Sequence, residues 1–421
     1  MNNKIKAAVA GAVLASASVA NAGITWDAGD WTVDMNGNVN AFAVFADNKD
    51  GGDQIGGGLA NTNAGNNNNE NTSISTGLLP SWLGFTATTR QNDIDTSVTI
   101  SFQPGAGGNQ ALQGGGNTEN RQAFLTFGDK SWGSVKVGKD LGVFGSTAIL
   151  NDMTLLGVGS NGGGTQHNGG AAGTTTTLGG IGTGYIYADW KGQIAYTTPN
   201  MNGFAATVAI TQPWGTTNIA GNVQSANASG GADNFAYEGQ ASYSWTGDFA
   251  GKAWVGAFYQ DVQGLQNMIP TLQVPAGAAI NLGDEDATAY EVGISATVMN
   301  IGLVAYGYSG EGAGTTGMLS DGFDATGSAR DSDGGYVQAT YVIPMGTKLG
   351  ISYGVSNLDD NAIDAGDNLV KKNDRVTIGA YHPLTKHLNL VAEYSQVESD
   401  SHAAVSSQQT DVFAVGAILF F

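Results

Sequence analysis

The sequence predicts an all-β protein, a transmembrane antiparallel β-barrel of 16 strands with long extracellular loops and short periplasmic turns. Three features favour this fold: an export signal at the amino terminus, segments of about ten residues in which polar and apolar residues alternate, and connectors that alternate between short and long. No stretch after residue 22 has the 18 or more unbroken apolar residues of a membrane helix. A membrane crossing would therefore be made by strands.

Residues 1–22 have the pattern of a secretory signal peptide. Lys4 and Lys6 supply a basic start, a short apolar stretch follows, and Ala20-Asn21-Ala22 matches the A-x-A cleavage site. The apolar stretch is too short to span a bilayer easily, which argues against a membrane anchor. We therefore expect export by the Sec route and a mature barrel over residues 23–421.

Composition excludes several classes of function. The chain has 36 acidic and 16 basic residues, and loss of the two signal lysines leaves 14 bases and a formal charge of −22. This acidic balance argues against a nucleic-acid partner. Cysteine is absent, and the four histidines have no metal-ligand spacing. Because no nucleophile elbow is present either, we expect no enzyme activity, no cofactor and no metal.

Strand-like alternation recurs along the mature chain. Segments 237–245, 290–298, 348–356, 388–396 and 411–421 each place aliphatic and aromatic residues on one face. In all but the last, the other face is mostly small or polar. In a membrane barrel the apolar face would meet lipid and the polar face would line the lumen. In a soluble sandwich the apolar face would be a dry core, and the alternation alone does not separate the two.

The lengths of the connectors distinguish a membrane barrel from a soluble sandwich. Seven are short turns rich in Gly, Asn, Asp and Pro, and eight are long polar or Gly-rich loops, so fifteen connections join sixteen strands. Tight turns at one rim and long loops at the other are typical of outer-membrane barrels, whereas a soluble sandwich has no reason to sort its loops. The long loops span approximately residues 46–80, 104–119, 140–190, 213–236, 262–286, 310–332, 357–371 and 398–409.

Sixteen strands have a consequence for the interior. Eight strands leave a bore that side chains fill, and sixteen to eighteen leave an aqueous channel. The residues expected to point inward are mostly Gly, Ser, Thr, Asn and Gln, which are too small to fill such a bore. We therefore expect a water-filled lumen that hydrophilic solutes cross by diffusion.

Residues 119–139 resemble the strand-turn-strand of the Gram-negative general porins. The matching features are the strand Arg121-Gln-Ala-Phe124, the Phe127-Gly128 turn, and the return strand Val135-Lys-Val-Gly-Lys139. The resemblance extends to the signal, the first strand and the terminal Phe. It implies a homotrimeric, passive outer-membrane pore in a Gram-negative bacterium, contacting lipid, lipopolysaccharide and small hydrophilic solutes. It also implies that the third loop, about 140–190, folds into the lumen and that its acids face bases on the wall.

Five charged residues are candidates for the pore constriction. Lys136 is the strongest base, because it alternates with Val135 and Val137 and should point inward. The other four fall on the third-loop stretch or on neighbouring strands, and they are Asp140, Asp152, Arg121 and Arg90. The third loop is longer and richer in Gly than is usual in the family, and the wall is poorer in arginine.

The excess of acids predicts a mild cation preference, because acids at a pore mouth concentrate cations. Alternatively, the loop acids only keep the surface soluble or bind divalent ions shared with lipopolysaccharide. Two further functions also stay open: a substrate-selective channel for sugars or organic acids, and adhesion through the long loops.

Overall fold

The computed structural model describes residues 23–49, 55–60, 70–106, 118–161, 176–216, 223–224, 234–267, 280–361, 368–403 and 407–421. The expected signal peptide and part of the third loop, residues 162–175, lie outside this described part. Among the described residues, no helix combines the length and the apolar character needed to cross a membrane.

Twenty β segments make up most of the described chain. They are β1 (Ile24–Ala28), β2 (Trp31–Asn48), β3 (Glu70–Ser75), β4 (Trp82–Gln91), β5 (Ile94–Pro104), β6 (Thr118–Glu119), β7 (Ala123–Asp129), β8 (Gly133–Leu141), β9 (Trp190–Thr197), β10 (Phe204–Thr211), β11 (Val223–Gln224), β12 (Ala236–Trp245), β13 (Phe249–Asn267), β14 (Ile280–Val298), β15 (Ile301–Glu311), β16 (Asp331–Val342), β17 (Lys348–Leu358), β18 (Val370–Pro383), β19 (Leu388–Ser401) and β20 (Ser407–Phe420).

These segments form one closed antiparallel ring. Four of them continue another segment along the same edge of a neighbouring strand, namely β1 with β20, β3 with β4, β6 with β7, and β11 with β12. The twenty described segments therefore occupy sixteen positions around the ring. The ring closes where β2 pairs with β20, from Asn38 opposite Phe420 to Asn48 opposite Thr410. This confirms the predicted sixteen-stranded antiparallel barrel.

Tight turns join the strands at one rim, as the turn chemistry predicts. Asn92 and Asp93 form a two-residue hairpin between β4 and β5, and their φ angles are 50° and 62°. Asn and Asp tolerate this left-handed region better than other side chains do, and a two-residue hairpin needs it to match the twist of its strands.

The outward face is apolar. On β17, Leu349, Ile351 and Tyr353 are 43%, 52% and 43% exposed, while Gly350 and Ser352 between them are buried. Because alternate residues of a strand face opposite sides of the sheet, the exposed set points away from the ring. In a membrane this face meets hydrocarbon.

The inward face differs from expectation. The prediction that inward residues are too small to fill the bore is wrong for a large part of the wall. Phe42 on β2, Trp254 on β13, Tyr306 on β15 and Tyr336 on β16 are all buried inside the ring. They are buried because pieces of the long connectors pack against them, which makes an apolar core within the barrel.

Within the described residues, segments of at least three long connectors lie inside the ring. We call the described connector between β8 and β9, residues 142–161 and 176–189, the inner loop. It contains the helix α1 (Ser146–Asn151) and the 3₁₀ helix Met153–Leu156. The connector between β15 and β16 joins it through a 2.9 Å hydrogen bond from Tyr187 N–H to the Thr316 carbonyl.

The third segment, residues 55–60, belongs to the connector after β2. The Leu59 N–H donates to the side-chain oxygens of Asn373 and Ser399, at 3.0 Å each. The bore is therefore much narrower than a bare ring of sixteen strands would leave.

A glycine at the closing seam provides a test of ring closure. Gly37 and the terminal Phe421 exchange two backbone hydrogen bonds of 2.9 and 3.0 Å. A Cβ at residue 37 would lie 2.7 Å from the Phe421 ring and closer still to the Trp82 carbonyl. We expect Gly37→Ala to reduce the fraction of protein that migrates as a folded band in unheated SDS gels. Gly307→Ala is the matched control, because its Cβ would meet only the Gly334 carbonyl at 3.5 Å. Equal folded fractions would contradict the prediction.

Candidate functional site

Buried glutamates of the wall hold the start of the inner loop. Glu238 on β12 accepts hydrogen bonds from the backbone N–H groups of Val143 and Phe144, at 2.6 and 2.9 Å. Glu291 on β14 accepts one from Gly145 at 3.1 Å. Both carboxylates are almost fully buried. They replace the water that these loop donors would otherwise require.

A third glutamate holds the far side of the same loop. Glu393 on β19 accepts the Val158 and Gly159 N–H groups at 2.7 and 2.9 Å. The Tyr381 hydroxyl also donates to it, at 2.6 Å. Between these anchors the Met153 N–H donates to Gln338 on β16. The inner loop therefore lies along the wall from β12 to β19.

Asp152 organises the bend between the two short helices. Its carboxylate accepts the Thr154 N–H at 2.9 Å and thereby caps the 3₁₀ helix. It also accepts the Tyr185 hydroxyl at 2.9 Å, and Arg375 on β18 lies 3.9 Å away. The predicted set did not include Arg375. Its inward position follows from alternation, but no sequence rule links it to a residue of the third loop.

Lys136 and Asp140 lie together on β8. The Lys136 ammonium contacts the Asp140 carboxylate and lies 5.1 Å from the centre of the Phe124 ring. Asp140 also accepts a 2.8 Å hydrogen bond from Gln122. The Asp140 side chain is 1% exposed, whereas that of Lys136 is 29% exposed and reaches solvent inside the ring. Asp140 thus belongs to the strand that precedes the inner loop.

Arg121 is buried beside the inner loop, just before β7. Its Nε donates to Glu119 at 2.8 Å, and one Nη2 hydrogen reaches the Thr176 hydroxyl at 3.4 Å. The guanidinium lies 5.7 Å from the centre of the Trp190 ring. These contacts join the wall to the far end of the inner loop.

Arg90 lies elsewhere. It ends β4 at the rim of the tight turns and pairs with Asp95 and Asp129, at 2.8 and 2.9 Å. Its side chain is 46% exposed. Of the five predicted residues, the structure brings Lys136 and Asp140 into one ion pair. It places Asp152 within the inner loop and Arg121 on the wall beside the far end of that loop.

A small cavity of about 50 Å³ lies between the inner loop and the wall formed by β4 to β9, and we call it the wall cavity. Its polar lining residues are Gln103, Arg121, Thr176 and Tyr187. Burial raises the pKa of Tyr187 to about 12, against the opposing effect of Arg121, so its hydroxyl stays protonated near neutral pH. The other lining residues are apolar or aromatic, and they are Leu78, Leu79, Pro80, Trp82, Leu141, Ile149, Leu150, Leu155, Ile181 and Trp190.

Comparison with known proteins identifies the family. The model of the Gram-negative porin family matches residues 7–402. The chain belongs to the Gram-negative porin family. No curated protein matches this porin significantly.

Solved structures with the same fold are outer-membrane proteins. The outer membrane channel DcaP of Acinetobacter baumannii is 16% identical with a TM-score of 0.66, over 95% of this porin and 100% of that chain. An anion-selective porin from Comamonas acidovorans is 16% identical with a TM-score of 0.59, over 93% and 100%. OmpF of Salmonella typhi in complex with daunomycin is 14% identical with a TM-score of 0.55, over 94% and 100%. At these identities the likeness establishes the fold. Family and fold together make this porin an outer-membrane channel.

The anchors of the inner loop can be tested at Glu393. Replacing it by alanine leaves the Val158 and Gly159 N–H groups and the Tyr381 hydroxyl without their acceptor. Each buried donor left unpaired costs about 1–3 kcal/mol. We expect Glu393→Ala to lower the unfolding temperature in detergent and to broaden the distribution of single-channel conductances.

Glu393→Gln is the control, because its amide oxygen can still accept the Val158 and Gly159 N–H groups while its NH2 group can donate to the Tyr381 hydroxyl oxygen. Its unfolding temperature and its distribution of single-channel conductances should stay close to those of the parent protein. An alanine variant with unchanged conductance would show that these bonds do not position the loop.

Proposed function

We propose that this porin is a passive diffusion channel for ions and small hydrophilic solutes. The observation that carries the proposal is an inner loop that is hydrogen-bonded to the wall inside a closed ring of sixteen strands and so narrows the bore. We propose further that the chain is exported by the Sec route and works as a homotrimer in outer-membrane lipid and lipopolysaccharide. Among the solved relatives, OmpT of Vibrio cholerae is described in a trimer form.

The proposed constriction lies between the inner loop and the wall from β4 to β9. On the wall side, Arg121 and the Lys136–Asp140 pair contribute charge. Asp152 acts from within the inner loop, chiefly by fixing its shape through Thr154 and Tyr185. Arg90 is left out of the proposed constriction because its charge is matched at the turn rim.

We propose a mild cation preference that arises at the pore mouths. Acids such as Asp284, Asp286 and Asp331 lie at the rim of the long loops, where they concentrate cations within a Debye length of about 8–10 Å. Lys252 on β13 and Lys348 on β17 point inward and oppose this effect. The alternative role for the rim acids is surface solubility or binding of divalent ions shared with lipopolysaccharide.

Ion selectivity should respond to the inward lysines. Neither Lys252 nor Lys348 forms an ion pair among the described residues, and each adds positive charge to the inward face. We expect Lys252→Gln combined with Lys348→Gln to shift the reversal potential in a potassium chloride gradient toward stronger cation preference. The matched double variant Lys130→Gln with Lys386→Gln removes the same charge from exposed turns and should shift it less. An anion preference in the parent protein would overturn the proposed selectivity, and a silent bilayer would overturn the proposed channel.

A substrate-selective channel for sugars or organic acids is the second candidate. It is favoured by the number of segments inside the ring, because residues 55–60 and the connector between β15 and β16 also pack there. For a diffusion channel we expect arabinose uptake into liposomes to rise linearly with its concentration. Saturation of the uptake rate would instead support the selective channel.

A further inference from the structure

We propose that Lys191 is a positioning residue for the inner loop, that it acts through Glu238, and that the first residues after β10 hold it in place. The inference rests on the proposed channel, because it assigns a further residue that sets the conducting path of that channel. Three observations carry it: a buried ion pair, a glycine that leaves room for the lysine, and an aromatic ring that covers the ammonium group.

The two ends of the inner loop meet beside Lys191. The Gly142 N–H donates to the Asp189 carbonyl at 2.8 Å, and we call this meeting point the neck of the loop. Lys191 follows two residues later on β9, opposite Asp140 in the register with β8. A Cβ at residue 142 would lie 2.7 Å from the Lys191 Cε and 3.0 Å from its Nζ. Glycine at this position therefore leaves the space in which the lysine side chain crosses the neck.

Lys191 contacts the glutamate that holds the start of the inner loop. Its ammonium forms an ion pair with Glu238 on β12, and the two side chains are 8% and 0% exposed. The other oxygen of that carboxylate accepts the Val143 and Phe144 N–H groups. Burying a carboxylate is costly unless an opposite charge accompanies it. Lys191 therefore offsets the cost of placing this negative charge where it can hold two loop donors.

The connector after β10 covers the ammonium group from another side. The Lys191 Nζ lies 4.5 Å from the centre of the Trp214 ring, which is a cation–π distance. The backbone of Trp214 is fixed in turn by Gln260 on β13. The Gln260 side chain accepts the Trp214 N–H and donates to the Trp214 carbonyl, both at 2.9 Å. One lysine thus links β13, the connector after β10 and the inner loop.

Removing the charge of Lys191 should release the start of the inner loop. Glu238 would then be a buried carboxylate without its counter-charge, and breaking a buried ion pair by removing one partner is strongly destabilising. The carboxylate regains solvation by moving toward water, and in doing so it gives up the Val143 and Phe144 N–H groups. An inner loop that is free at its start takes up more than one position, and each position gives its own conductance.

The test is the single-channel current of the purified full-length porin in planar bilayers, in potassium chloride at neutral pH. Lys191→Met keeps an unbranched side chain and removes the charge. We expect it to raise the fraction of time spent at reduced conductance levels at least about tenfold, as the loss of one partner of a buried pair predicts. Glu238→Gln leaves the buried ammonium without its carboxylate and should act in the same direction.

The double variant separates positioning from general loss of stability. When Lys191→Met is combined with Glu238→Gln, neither buried charge remains. The new amide oxygen can still accept the Val143 and Phe144 N–H groups, and its NH2 group can donate to the Thr211 hydroxyl oxygen, which lies 3.3 Å from the parent carboxylate. The double variant should therefore return toward the conductance distribution of the parent, even where a single variant folds poorly. Additive defects would overturn the inference.

Trp214 tests the part of the connector after β10. Trp214→Leu removes the aromatic face over the ammonium group, whereas Trp214→Phe keeps one. The leucine variant should spend more time at reduced conductance levels than the phenylalanine variant. Equal behaviour of the two variants would overturn the role assigned to this connector.

Lys372→Met is the matched control, since it makes the same substitution in an ion pair at the rim of the long loops. Lys372 pairs with Asp374 and Asp400, and its side chain is 32% exposed. Its conductance distribution should match that of the parent protein. A conducting parent whose Lys191→Met variant keeps the parent distribution overturns this inference and leaves the diffusion channel standing. A silent parent bilayer, by contrast, counts against the channel itself.

Discussion

In the hydrocarbon core of a membrane, water is not available to complete an open sheet edge, so every strand must have a neighbour on both sides. The pairing of β2 with β20 meets this requirement, and the other features of the molecule depend on it. Because the closed ring has no open edge, Leu349 and Ile351 can be exposed to lipid on its outer face without promoting aggregation through strand pairing. It also creates an enclosed interior in which loop segments can be packed and hydrogen-bonded.

Inside the ring, backbone hydrogen-bond groups must also be paired, and here side chains of the wall are the partners. The inner loop has few regular elements, so many of its backbone N–H groups lack a partner within the loop itself. Glu238, Glu291 and Glu393 supply acceptors from the wall, while Gln338 and Ser356 do the same for Met153 and Gly184. Removing such a group leaves an unpaired donor in a place that water reaches poorly, which costs more than the bond itself contributes. The position of the loop, and with it the width of the bore, is thus set by side chains on distant strands.

Much of this architecture could be predicted from the sequence, because a strand's two faces are determined by residues two apart. Alternation placed Glu291 and Glu393 on the polar face of their strands, and the connector lengths gave the number of strands. Alternation does not predict which loop group an inward side chain will bind inside the ring. Glu393 and Val158 are 235 residues apart, and one belongs to a strand while the other is a backbone donor in an irregular loop. For the same reason, the aromatic residues Trp254 and Tyr306 were not expected inside, since nothing local shows that a loop covers them.

Charge illustrates why the composition of the whole chain is a poor guide to the field inside it. The mature chain is expected to carry a formal charge of −22, yet the inward acids Glu238, Glu291 and Glu393 are buried and committed to loop N–H groups. The inward charges that remain partly exposed include Lys136 and Lys252. Because the Debye length is about 8–10 Å near physiological salt, acids at the mouths act on ions there and are screened deeper in the bore. The charge that faces the lumen therefore depends on which acids the inner loop buries, and it differs from the sum over the sequence.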